Sequence, residues 1–187
     1  IVQLETAAES VLLSHLEAAA TPYEARLTIV SMLRELCSHA PMAQYIRWIA
    51  KRDVHDELAD MTAESLVNMG RCVVSQVLSA VETANEAGEE TFLDILCNFP
   101  GDDRIFSLAM RLFEKHTARR ALFASYLGKL GDVRAIPALE QAARVEDINY
   151  LDYIELRNAI EELGGELPAE REFIGDQYYE SLRRMRC

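Results

Sequence analysis

Leu127-Gly128-Lys129-Leu130-Gly131-Asp132-Val133-Arg134-Ala135-Ile136-Pro137-Ala138-Leu139 reads as the end of one helix, a tight turn and the start of another. Phe123, Tyr126, Leu127 and Leu130 fall at i, i+3, i+4 and i+7, which puts them on one helical face. Gly131 suits the left-handed conformation that closes a helix C-terminus, and Asp132 can cap the next helix with its carboxylate. Beyond the turn Ile136, Leu139 and Ala143 again share a face. Pro137 sits at the limit of the first turn, where it either kinks the helix or delays its regular start. Two helices joined this tightly must lie antiparallel.

The junction recurs at intervals of roughly 30 residues. Gly70, Gly101, Gly131 and Gly164 each interrupt apolar-periodic runs, and Ser38-His39-Ala40-Pro41 does so one interval earlier, with its junction near His39. Gly101, Asp102 and Arg104 match Gly131, Asp132 and Arg134 in register, so the Asp and Arg side chains are expected to form a structural ladder between repeats. A helix-turn-helix period of this length signals an α-solenoid, because one helix pair cannot bury its own apolar face and must stack on neighbours.

The run LGKLGDVRAIPAL (residues 127–139) followed by LRNAIEELGGE (residues 156–166) resembles the short bacterial HEAT-like repeats, the type also found in the phycobilin lyases. The match is close over residues 101–166 and rests upstream on spacing and periodicity. The resemblance implies an all-α, right-handed solenoid of about five helix pairs, HEAT-like or ARM-like, in which the helix before each glycine lines the concave side. One domain over residues 1–187 is expected, with residues 168–187 as a terminal cap interrupted at Gly175. Such a fold hosts scaffolds, maturation factors and nucleic-acid enzymes alike, so it does not select a function.

Half of the 187 residues are apolar, which suffices for a continuous core. No apolar run approaches the roughly 18 residues needed to span a bilayer, and the N-terminus lacks a basic-then-apolar signal pattern. Cys37, Cys72, Cys97 and Cys187 show no metal-type spacing and are read as reduced thiols, buried where they lie in apolar helical runs. A cytoplasmic location is the expectation from that usage. The net charge of −12 disfavours nucleic acid and anionic membranes as partners. Its distribution is uneven: residues 53–103 hold twelve acids and one base, residues 104–144 eight bases and three acids.

Along the chain, Thr21-Pro22-Tyr23-Glu24 reads as a capping box with proline at the first helical position. Trp48 is read as core, while Arg47, Lys51 and Arg52 are expected to face out. Asn85-Glu86-Ala87-Gly88-Glu89-Glu90 is expected as a polar loop between repeats. His55-Asp56-Glu57 with Asp60 reads as a solvated acidic first turn rather than a metal site, since adjacent residues diverge on a helix. Cys72, beside Arg71 at a helix start, is a candidate reactive thiol, but Val73 and Val74 argue for its burial.

No nucleophile elbow, phosphate loop or dinucleotide fingerprint occurs, so no catalytic residue, metal or cofactor is assigned. The basic block and the tyrosine and arginine content near residue 153 point to a protein-binding surface. Arg119, Arg120, Ser125, Lys129, Tyr153, Glu155 and Asn158 are the candidate binding residues, placed by the resemblance on the concave helices. The expected function is a non-enzymatic scaffold that binds a protein or peptide, one with an acidic segment fitting the basic block. Alternatives are a HEAT-type lyase or maturation factor holding a bulky cofactor, and a HEAT-type nucleic-acid enzyme. The competing structural role for the basic block is internal pairing with the acidic repeats, for example with Asp152 and Glu155.

Overall fold

A computed structural model describes the backbone of residues 2–167 and 171–186 and the side chains of residues 6–167 and 171–185. Every regular element among them is helical. No helix among them is long and apolar enough to cross a membrane. The chain divides into two compact units, Ile1–Phe99 and Pro100–Cys187.

The first unit contains α1 (Val2–Glu17), α2 (Tyr23–Glu35), α3 (Met42–Ile49), α4 (Glu57–Met69), α5 (Val74–Val81) and α6 (Glu86–Cys97). Alternate helices are neighbours: α4 packs between α2 and α6, while α3 packs on α4 and α5. Val30, Leu33, Ile49, Leu66, Val77, Phe92 and Leu96 fill the space between them. Each such side chain stabilises the unit by about 1.5–3 kcal/mol through removal of apolar surface from water.

The second unit contains α7 (Asp103–Lys115), α8 (Arg120–Leu130), α9 (Ile136–Ala143), α10 (Tyr150–Glu162) and α11 (Gln177–Arg186). Here α8 lies against α7 and α10, and α10 also meets α9 and α11. Ile105, Leu112, Phe123, Leu127, Leu139 and Ile160 form the core, with the buried His116 ring stacked on Phe123 at 4.9 Å. Pro137 delays the helix rather than kinking it: a 3-10 turn over Val133–Ala135 precedes regular α9. The left-handed Gly175 interrupts the C-terminal segment ahead of α11. The expected start of that cap at Pro168 lies outside the described residues.

Several local expectations are corrected. The first junction, expected near His39, closes at Cys37, whose φ of 52° takes the positive-φ role that glycine plays at positions 70, 101, 131 and 164. Pro22 stands at the N-cap of α2 without a side-chain cap, and the Thr21 hydroxyl donates to the His15 carbonyl instead. The segment from Asn85 to Glu90 is not a loop: Asn85 caps α6 by accepting from the Gly88 amide at 2.8 Å, and the helix begins at Glu86. Arg52 does not face out. It is 8% exposed, pairs with Asp60 at 2.7 Å, and donates to the Thr91 hydroxyl at 2.8 Å and the Asp53 carbonyl at 3.1 Å. A buried guanidinium is tolerable only when satisfied in this way. Trp48 is half-buried against Tyr45, with ring centroids 6.2 Å apart.

Gly88 shows why a glycine stands within α6. A Cβ there would come within 2.7 Å of the Ile49 carbonyl oxygen and 3.2 Å of Ala50 Cα, both backbone atoms that cannot rotate away. At Gly131, with φ 71°, the neighbourhood is open and only the backbone conformation resists a side chain. Gly88→Ala is therefore expected to lower stability by about 1–3 kcal/mol through forced displacement of α3. Gly131→Asn is expected to cost less than about 1 kcal/mol, since asparagine visits the left-handed region. Urea unfolding of the two variants checks the order.

Candidate functional site

The Gly-Asp-x-Arg registers of the second unit set the frame. Gly131 closes α8, and the Asp132 carboxylate accepts from the Arg134 amide at 3.0 Å and from Arg134 Nε at 2.9 Å. Asp102 repeats this geometry with Arg104, at 3.0 Å from the amide and 2.7 Å from Nη2. Arg134 Nη2 also reaches Asp103 at 2.7 Å, and its guanidinium lies 4.3 Å from the Phe106 ring centroid. The ladder expected from the register is thus present between α7 and the turn that precedes α9. The hydrogen bonds from Arg134 hold the Asp132 carboxyl below its usual range, and those to Asp132 and Asp103 hold Arg134 above its own.

This geometry removes part of the basic block from any binding role. Arg104 and Arg134 serve the ladder, and Arg144 pairs with Glu140 at 2.9 Å on its own helix. Exposed pairs of this kind add about 0–1 kcal/mol each. The particular partners suggested by sequence are not used: Asp152 accepts from the Asn149 amide group at 2.7 Å, and Glu155 makes no ion pair among the described residues.

The candidate binding residues separate into two groups. Ser125 and Lys129 lie one turn apart on α8, with Lys129 exposed and the Ser125 hydroxyl donating to the Leu122 carbonyl at 2.7 Å. Glu155 and Asn158 are exposed on α10. Arg119 ends the short turn before α8 and is half-buried. Arg120 lies on the far side of α8 from Lys129, given about 100° per residue, and its guanidinium sits 5.6 Å from the Phe113 ring centroid. Its Nε is buried without a hydrogen-bond partner. Tyr153 is 6% exposed and meets the Phe173 ring at 5.0 Å, so it is packing and not an accessible hot spot.

What sequence reasoning missed is that Leu151 and Glu162 extend the exposed pair Glu155 and Asn158 into a stripe on α10. Leu151, Glu155, Asn158 and Glu162 are all exposed and follow one another at helical spacing. Leu151 keeps 51% of its surface in solvent. Beside this stripe α8 and α10 approach closely at Gly128, where a Cβ would stand 3.2 Å from Ala159 Cα and would also meet the Glu162 carboxylate. The spacing of residues 151, 155, 158 and 162 for one helical face is present in the sequence, whereas Tyr153 is a candidate by residue type alone, which does not report burial.

Elsewhere, Asp56 caps α4 by accepting from the Ala59 amide at 3.2 Å, and Asp60 is held by Arg52, which accounts for the acidic turn. Among the described residues no cluster of histidine, cysteine and carboxylate side chains is arranged to hold a metal. Cys37 and Cys72 are exposed, against the expected burial, and Cys97 is buried. No protein-family model matches the chain, and no curated protein matches it.

Asp176 supplies a second strongly bound carboxylate. It accepts from the Tyr179, Tyr150 and Tyr178 amides, each at 3.0 Å, and these bonds hold its carboxyl below the usual range. A carboxyl depressed in the folded state contributes stability that is present above its unfolded value near 3.8 and is lost as pH falls through the lower folded value. The second unit should therefore lose stability on acidification below about pH 5. Asp132→Asn and Asp176→Asn should each flatten that dependence, as read from urea midpoints between pH 3 and pH 7. Asp132→Ala should cost about 0.5–2 kcal/mol near neutral pH through loss of the cap.

Proposed function

We propose that this chain is a HEAT-like interaction scaffold that binds a protein or peptide along the surface built by α8 and α10. Positive-φ junctions at residues 37, 70, 101, 131 and 164, with alternate helices packed as neighbours within each unit, support reading the fold as an α-solenoid. On that reading α8 and α10, each ending at a left-handed glycine, belong to the concave layer.

The exposed stripe of Leu151, Glu155, Asn158 and Glu162 is the observation that carries the proposal. It offers an apolar contact, an amide and a carboxylate, Glu155, that makes no ion pair among the described residues. Ladder pairing leaves Arg120 as the guanidinium best placed for an acidic group of the partner, because its burial against Phe113 removes part of its hydration without supplying an anion. Apolar and charged groups that are desolvated together are where binding energy concentrates.

Capture of interacting proteins from native extract, followed by mass spectrometry, tests this. The wild-type chain should retain a partner that a Leu151→Asp/Glu155→Lys variant retains about thirtyfold less, a loss of the size expected for a hot-spot change. Lys115→Ala, on α7, should leave retention unchanged. Equal recovery by wild type and by the stripe variant, with helicity equal by circular dichroism, would defeat the proposal.

A further inference from the structure

Beside the first junction lies a small cleft lined by Arg34, Cys37, Ser38, His39, Tyr45, Ser65, Asn68 and Met69, with a cavity of about 40 Å³. That is room for a carboxylate group, given that a single water needs roughly 10–15 Å³ by the same measure. Hydrogen-bond donors without acceptors gather here. The Tyr45 side chain is 1% exposed, yet its hydroxyl has no partner, and burial pushes the phenol up while the Arg34 guanidinium pulls it down. Arg34 uses Nη1 on Glu64 at 2.7 Å and makes no other hydrogen bond among the described residues; the Asn68 amide group makes none. The two serines are already committed as donors, Ser65 to the Met61 carbonyl and Ser38 to Glu9. A cleft lined by three donor groups, one of them the Arg34 cation and one the buried Tyr45 hydroxyl, suits an anionic acceptor.

The rim of the cleft carries a nucleophile. Cys72 is exposed, with its sulfur 3.5 Å from His39 Nδ1 and 3.3 Å from the Met69 carbonyl. His39 and Met69 border both the cleft and this sulfur. A thiol within reach of an imidazole is the arrangement in which the ring takes the proton as sulfur attacks.

We propose that Cys72 and His39 form a nucleophilic thiol site, and that the adjoining cleft seats the carboxylate of a small electrophilic acid through Tyr45, Arg34 and Asn68. With iodoacetate as the probe, the Cys72 thiol proton passes to His39 Nδ1 and the sulfur forms a bond to the methylene carbon. The carbon–iodine bond breaks, and iodide departs with the bonding pair. Iodoacetamide undergoes the same displacement without a carboxylate for the cleft to hold.

Labelling rates at Cys72, read by peptide mass spectrometry near neutral pH, test the site. Iodoacetate should label Cys72 at least about a hundredfold faster than it labels N-acetylcysteine, the low end of what a positioned base supplies. Sodium acetate should slow that labelling where equimolar sodium chloride does not. His39→Ala should slow both reagents. Tyr45→Phe should remove the advantage of iodoacetate and leave the iodoacetamide rate unchanged, an asymmetry that a merely structural role for Tyr45 would not give. Labelling by both reagents at the rate of N-acetylcysteine, or rates indifferent to His39→Ala, would overturn the nucleophile. No protection by acetate in the wild-type protein would overturn the carboxylate seat without reliance on any variant.

Discussion

A helix that must stop and reverse within a few residues leaves its last carbonyls and the next helix's first amides without partners. In this chain one solution recurs: a residue in the left-handed region turns the chain, and at the best-formed junctions a carboxylate directly after it accepts the amides ahead. Everything else in the second unit is spaced by that device. Because Asp132 stands immediately after Gly131, Arg134 is delivered where its guanidinium can close on Asp132, reach Asp103 and cover Phe106. The turn therefore fixes both the chain reversal and the contact with α7.

Packing in the first unit depends on two different allowances. Gly88 lets α6 come down on the C-terminal end of α3, closer than any side chain would permit. Arg52 then closes the connection between α3 and α4 from within, joining Asp60 on α4 and Thr91 on α6. The aliphatic part of such a side chain fills space while its head satisfies carbonyl, hydroxyl and carboxylate oxygens, so the connection is both packed and polar.

The periodic features of the fold were legible because they are written in residue types with narrow physical uses. Gly131 and Asp132 announce a closure and a cap, and the register of Asp102 and Arg104 announces that the device repeats. The chain's exceptions were less legible. Cys37 adopts the left-handed conformation without glycine's freedom, so nothing in its side chain marks the first closure. Gly88 sits among polar residues that read as a loop, and only the approach of the Ile49 carbonyl explains it. For the binding surface, sequence placed Glu155 and Asn158 on an exposed face but could not tell that Tyr153 turns inward to Phe173. Burial of an amphipathic ring is decided by a residue some twenty positions away, and no local pattern encodes it.

Asp176 joins two helix beginnings with one carboxylate: its Oδ1 receives the Tyr178 and Tyr179 amides of α11, and its Oδ2 receives the Tyr150 amide of α10. Around this point Tyr150, Phe173 and Tyr179 form a set of mutually contacting rings, with centroids 5.1–5.8 Å apart. A terminal helix usually frays independently of its neighbours. Here, withdrawing α11 also strips an amide of α10 of its acceptor and uncovers aromatic surface. Exchange of the Tyr150 amide is thereby coupled to the docking of α11, while the Asp152 and Tyr153 amides keep their acceptors on Asn149.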